Sequence, residues 1–70
     1  MTFKEALGRI VSRRDLTREE MATVMGQMLA GEATAAQVGA FAVALRMKGE
    51  TEDELLGAAE AMREIGRAHV

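Results

Sequence analysis

Four times in seventy residues a threonine is followed three positions later by a glutamate or glutamine, each time at the head of an apolar-periodic segment. The pairs are Thr2 with Glu5, Thr17 with Glu20, Thr34 with Gln37, and Thr51 with Glu54. This is the capping-box pattern: the threonine oxygen accepts from the N3 amide, and the longer side chain reaches back to the N-cap amide. One match is weak evidence, but four of them mark four helix starts. Proline is absent, so glycine supplies the stops. Gly31, Gly49 and Gly66 fall where the second, third and fourth segments should end, and glycine takes the left-handed C′ conformation without a Cβ penalty. The first segment ends instead near Arg13, Arg14 and Asp15. The pattern predicts an all-α chain, a compact bundle of four short helices. They fall near residues 3–13, 18–30, 35–48 and 52–65, with loops of about three or four residues between them.

Charge placement agrees. Glu5, Glu19, Glu20, Glu52, Asp53 and Glu54 sit in first turns, and Arg13, Arg14, Arg46, Lys48 and Arg63 toward last turns, as the helix macrodipole favours. The Arg13-Arg14 pair reads as helix termination rather than a binding patch. The seventeen-residue spacing of Thr17, Thr34 and Thr51 is the pitch of short helices, since the segments do not match outside their caps.

Periodicity assigns a buried stripe to three of the helices. The first offers Phe3, Leu7, Ile10 and Val11, the second Met21, Val24, Met25, Met28 and Leu29, and the fourth Leu55, Leu56, Ala59, Met62 and Ile65. The third differs, because Val38 to Leu45 leaves no polar face over two turns. A helix apolar all round is buried all round. Either it runs through the middle of the bundle, or its far side meets another subunit or domain. Phe3, Leu7, Val38, Phe41, Ala42 and Leu45 are the candidates for core or interface. An acidic residue at Ala42 should abolish association in an interface role and unfold the monomer in a core role.

Size makes a partner attractive. A chain this short buries only about 60% of its unfolded surface, and such domains usually need a disulfide, a metal or a partner. Cysteine is absent, which removes disulfides and thiolate zinc sites. His69, the lone histidine, reads as a solvated side chain rather than a metal ligand. Hydrophobic residues make up 49% of the chain, enough to supply an association surface. A net charge of −2 is a poor match for nucleic acid, where phosphate neutralisation dominates affinity. The eight apolar residues from Val38 to Leu45 are too few to span a bilayer, and Lys4 and Glu5 argue against a signal peptide. No nucleic-acid or membrane partner is expected, and the cytoplasm is the expected compartment.

No catalytic constellation is legible. The glycines stand singly, never as a phosphate loop, and Ser12 has no histidine near it for a triad. Glu50, Glu52, Asp53 and Glu54 lack the order and glycine of a calcium loop, and read as a solvated capping turn. A helix-turn-helix around Gly31 would need polar readers on the third helix, which presents Gln37 and then alanines. No catalytic, cofactor-binding or metal-ligating residue is assigned.

Several stretches do carry a resemblance. Leu16-Thr17-Arg18-Glu19-Glu20, Leu29-Ala30-Gly31-Glu32-Ala33-Thr34, Gln37, and above all Ala44-Leu45-Arg46-Met47-Lys48-Gly49-Glu50-Thr51 resemble the N-terminal helical domain of the anthranilate phosphoribosyltransferases. Ala58-Ala59-Glu60-Ala61-Met62-Arg63 fits as well. More distantly the chain is similar to the same domain of pyrimidine nucleoside phosphorylases. The resemblance implies that residues 1–70 form one helical domain of a larger enzyme that transfers phosphoribose to anthranilate in tryptophan biosynthesis. It implies an α/β domain that would follow, whose glycine-rich loop holds phosphoribosyl pyrophosphate with magnesium. It further implies a homodimer whose helical domains pack across the interface and border the substrate cleft. The sequence departs from the pattern at Ala35 and Glu52, where relatives often carry proline; proline at N1 is helpful but dispensable. The α/β domain itself is not represented, so no family catalytic residue maps onto this chain, and the fragment alone is expected to be inactive. A nucleic-acid-binding or protein-interaction relative, or an unrelated homodimeric bundle, remains the alternative.

Overall fold

The computed structural model describes residues 1–68, and His69 lies outside them. Four helices follow in order: α1 Phe3–Val11, α2 Arg18–Leu29, α3 Ala35–Lys48 and α4 Glu52–Ala68. All four capping boxes form. In each, the threonine hydroxyl accepts the N3 amide at 3.1 Å and the N3 side chain accepts the threonine amide at 2.9 Å.

The helix ends depart from expectation twice. α1 stops at Val11, with Ser12 as its C-cap, so Arg13 and Arg14 lie beyond it. The Arg13 amide then donates to Ile10 O and the Arg14 amide to Arg9 O, the bond pair of a Schellman motif, with Arg13 at φ 62° in the place usually held by glycine. The α1–α2 connection is therefore Ser12 to Thr17, longer than predicted. α2 and α3 stop at Gly31 and Gly49 as foreseen, Gly31 (φ 78°) just past the Ala30 C-cap and Gly49 (φ 91°, ψ 124°) at the C-cap itself rather than in the left-handed C′ conformation. Gly66 does not close α4, which continues through it, because the backbone there stays out of the left-handed region that a C′ glycine adopts.

α2 packs along α4 and α1 along α3, and the two pairs meet chiefly across α1 and α2. Phe3, Ala6, Ile10, Leu16, Met21, Val24 and Phe41 form the core, with Leu7, Met28 and Leu45 half-buried against it. The rings of Phe3 and Phe41 stand 5.5 Å apart at 44°, a tilted aromatic pair.

Two expectations about buried faces are corrected. α3 does not run through the middle of the bundle: it lies at the edge, with only Phe41 fully buried. The apolar stripe assigned to α4 is also not the one it buries. Leu55, Leu56, Ala59, Met62 and Ile65 are all exposed, while Glu54, Gly57 and Ala61 face the bundle. The reason is backbone proximity. Gly57 lies against α2 so closely that a Cβ would collide with the Arg18 carbonyl oxygen and stand 3.1 Å from the Ala22 amide nitrogen. A helix that near admits only small residues on its contact face, and the larger apolar side chains are turned outward.

Candidate functional site

Two features of the bundle are available for function: a buried ionic cluster at one corner and a set of uncovered apolar faces. The cluster is built on the turn between α3 and α4. Thr51 caps α4, which fixes Glu54 one turn into it, and Glu54 is buried rather than solvated as the sequence suggested. One carboxylate oxygen accepts the Lys48 ammonium at 2.8 Å and the Thr51 amide at 2.9 Å. The other accepts the backbone amide of Leu16 at 2.8 Å. Lys48 in turn donates to Asp15 at 2.9 Å and to the Gly49 carbonyl at 2.8 Å.

Burial pushes the Glu54 carboxyl up, but the bonds from Lys48, Leu16 and Thr51 outweigh it and hold it below its ordinary range. Burial likewise pulls Lys48 down, and its bonds to Glu54 and Asp15 outweigh that, leaving it above the ordinary lysine value. The cluster is therefore a fixed ion pair. It offers no group near neutrality for proton transfer. Among the described residues no three histidine, aspartate or glutamate side chains gather to hold a metal ion.

The uncovered faces are the second feature. On α3, Val38, Val43 and Met47 are 37%, 61% and 66% exposed, and Ala42 is exposed beside them. Val11 of α1, 64% exposed, continues that surface. Ile10, Val11, Ala40, Val43 and Met47, with Arg13 and Lys48, line a groove of about 340 Å³ between the two helices. On α4, Leu55 and Met62 are more than half exposed. Of the six candidates read from the sequence, Phe3 and Phe41 lie in the core and Leu7 and Leu45 against it. Val38 and Ala42 lie on the uncovered face. Exposed apolar side chains bordering a groove are the kind of surface at which association sites occur.

A second, shallower groove of about 600 Å³ runs between α2 and α4, lined by Thr23, Gly26, Glu60, Arg63, Glu64 and Arg67. Its side chains include the exposed Glu64–Arg67 pair at 2.8 Å, and nothing in it gathers nucleophile and base.

Sequence reasoning missed the Glu54 cluster because a capping glutamate looks the same whether solvated or buried. Its available signal was Lys48, six residues before Glu54, inside the most distinctive stretch of the chain.

The fold and its surfaces define a class: a small helical bundle with uncovered apolar side chains and, among the described residues, no gathered nucleophile and base. The chain belongs to the glycosyl transferase family helical bundle domain, which it matches over residues 4–66. Among its relatives, the anthranilate phosphoribosyltransferase of Myxococcus xanthus is 78% identical over 63 residues, 90% of this chain and 19% of that protein. The protein of the same name from Pelobacter propionicus is 64% identical over 62 residues, 89% of this chain and 18% of that protein. That from Chloroflexus aurantiacus is 53% identical over 64 residues, 91% of this chain and 19% of that protein. The chain thus spans about a fifth of the length of these relatives. No helix among the described residues is long and apolar enough to cross a membrane.

Proposed function

We propose that this chain is the helical domain of an anthranilate phosphoribosyltransferase and acts by association rather than by chemistry of its own. The observation that carries the reading is 78% identity over 63 residues to a protein of that name. In this reading the reaction, transfer of phosphoribose to anthranilate for tryptophan synthesis in the cytoplasm, belongs to an α/β domain holding phosphoribosyl pyrophosphate and magnesium. The uncovered surface of α3 and Val11 meets a second copy to form a homodimer, and the exposed Leu55 and Met62 face of α4 packs on the α/β domain.

A chimera tests the assignment. The segment of the Myxococcus xanthus relative that matches this chain is replaced by the chain itself, and phosphoribosyl transfer to anthranilate is assayed. Activity near that of the parent supports the reading. A folded chimera with no transfer activity overturns it.

A further inference from the structure

Few polar links cross between the α1–α3 pair and the α2–α4 pair, and most of them converge on one corner. Glu54, at the start of α4, receives Lys48 from the end of α3 and the Leu16 amide from the α1–α2 loop. Lys48 also holds Asp15 of that loop at 2.9 Å. The separate Arg9–Glu20 pair, at 2.7 Å, joins α1 to α2 in a half-buried position. Within the corner both side chains are shut off from water, Lys48 at 4% exposure and Glu54 at 0%. Releasing either connection alone would strand a buried charge or a buried amide without a partner, which is costlier than releasing both. The Leu16 side chain, itself in the core, leaves with its backbone.

We propose that the Glu54 carboxylate, with Lys48, is a latch that makes the α1–α2 loop and the α3–α4 turn open together, as one cooperative unit below global unfolding. Closed, it fixes the uncovered α3 surface relative to α4. Open, it frees the C-terminal end of α3 and the cap of α4 while the body of each helix stays folded. Partial openings of this kind are seen in proteins as contiguous units with their own free energies. This one joins two segments far apart in sequence through a single carboxylate.

Native-state hydrogen exchange of the whole chain, read by NMR, tests the latch without relying on any variant. The Leu16 and Thr51 amides, each donating to a different oxygen of Glu54, should open with one shared free energy and one shared denaturant dependence. Both should exchange faster than the core amide of Val24. In Glu54→Gln, both should accelerate together by about tenfold or more, and by more than Val24 does. Lys48→Met should accelerate the same two amides. Unequal opening free energies at Leu16 and Thr51 in the wild-type chain overturn the proposal. So does exchange at both sites that merely tracks Val24, since that is global unfolding alone.

Discussion

The Glu54 carboxylate accepts the Leu16 backbone amide at 2.8 Å across 38 residues of sequence, and that bond ties the α1–α2 loop to the start of α4. It works because the same side chain also completes a capping box and neutralises Lys48. A residue that closes its own helix end thus also sets tertiary structure.

Removing one charge of the pair should hurt more than removing both. Glu54→Leu leaves Lys48 buried with only the exposed Asp15 opposite, and should cost about 2–4 kcal/mol. Adding Lys48→Leu should recover part of that loss, because no buried charge is then left uncompensated. Urea unfolding of the four species in the cycle measures it, with a coupling energy of about 1 kcal/mol or more expected.

Glycine substitutions should divide sharply by position. A methyl at Gly57 meets the backbone of α2, so Gly57→Ala should destabilise by about 2 kcal/mol or more as the helices are forced apart. Gly8, on α1, has nothing within 4 Å of its would-be Cβ, and Gly8→Ala should stabilise by about 0.5–1 kcal/mol. Thermal unfolding of the two variants should therefore shift in opposite directions.

Acid should weaken the fold, with Glu54 contributing. Its carboxyl titrates lower in the folded state than in the unfolded chain, so the unfolded state binds protons more readily as pH falls. The stabilisation is fully present above the ordinary glutamate value of about 4.3, and is lost as pH falls through the lower folded value. Glu20, held down by the Thr17 amide despite partial burial and aided by Arg9, adds in the same direction. Lys48 is raised, so its share is intact below the ordinary lysine value and lost as pH rises through the folded one. Urea midpoints across pH should be flat near neutrality and fall at both extremes. In Glu54→Leu the acid-side slope should be reduced.

Arg13 occupies the left-handed region at φ 62°, where a side chain is strained and glycine is not. Arg13→Gly should raise stability by about 0.5–1 kcal/mol, with the Schellman bonds to Ile10 and Arg9 retained. Circular dichroism during thermal unfolding reads the gain.

The helix starts were legible in the sequence because a capping box is closed within four residues and needs no tertiary partner. Gly31 and Gly49 were legible for the same reason. What failed was everything set by the neighbour rather than by the segment. The stripe of Leu55, Ala59 and Met62 has the right period for a buried face, yet α4 turns Glu54, Gly57 and Ala61 inward, and Gly57 leaves room for the Arg18 carbonyl of α2. An isolated glycine inside a helical pattern does not single out that contact, since Gly8, Gly26 and Gly39 stand in helices with nothing within 4 Å. α3 read as buried all round from its composition, but α1 covers only the Phe41 side. Its far side is where the sequence pointed beyond the chain, and Val38 and Ala42 lie there uncovered.

Light scattering across a concentration series measures directly whether the uncovered α3 surface associates as proposed. The wild-type chain should show about twice its mass of 7.6 kDa, dissociating only on dilution or with loss of helicity. Ala42→Asp changes an exposed position, and should cost the fold under about 1 kcal/mol while giving a helical monomer. A wild-type chain that is folded and monomeric at every concentration, or an Ala42→Asp variant that stays dimeric, would contradict the account.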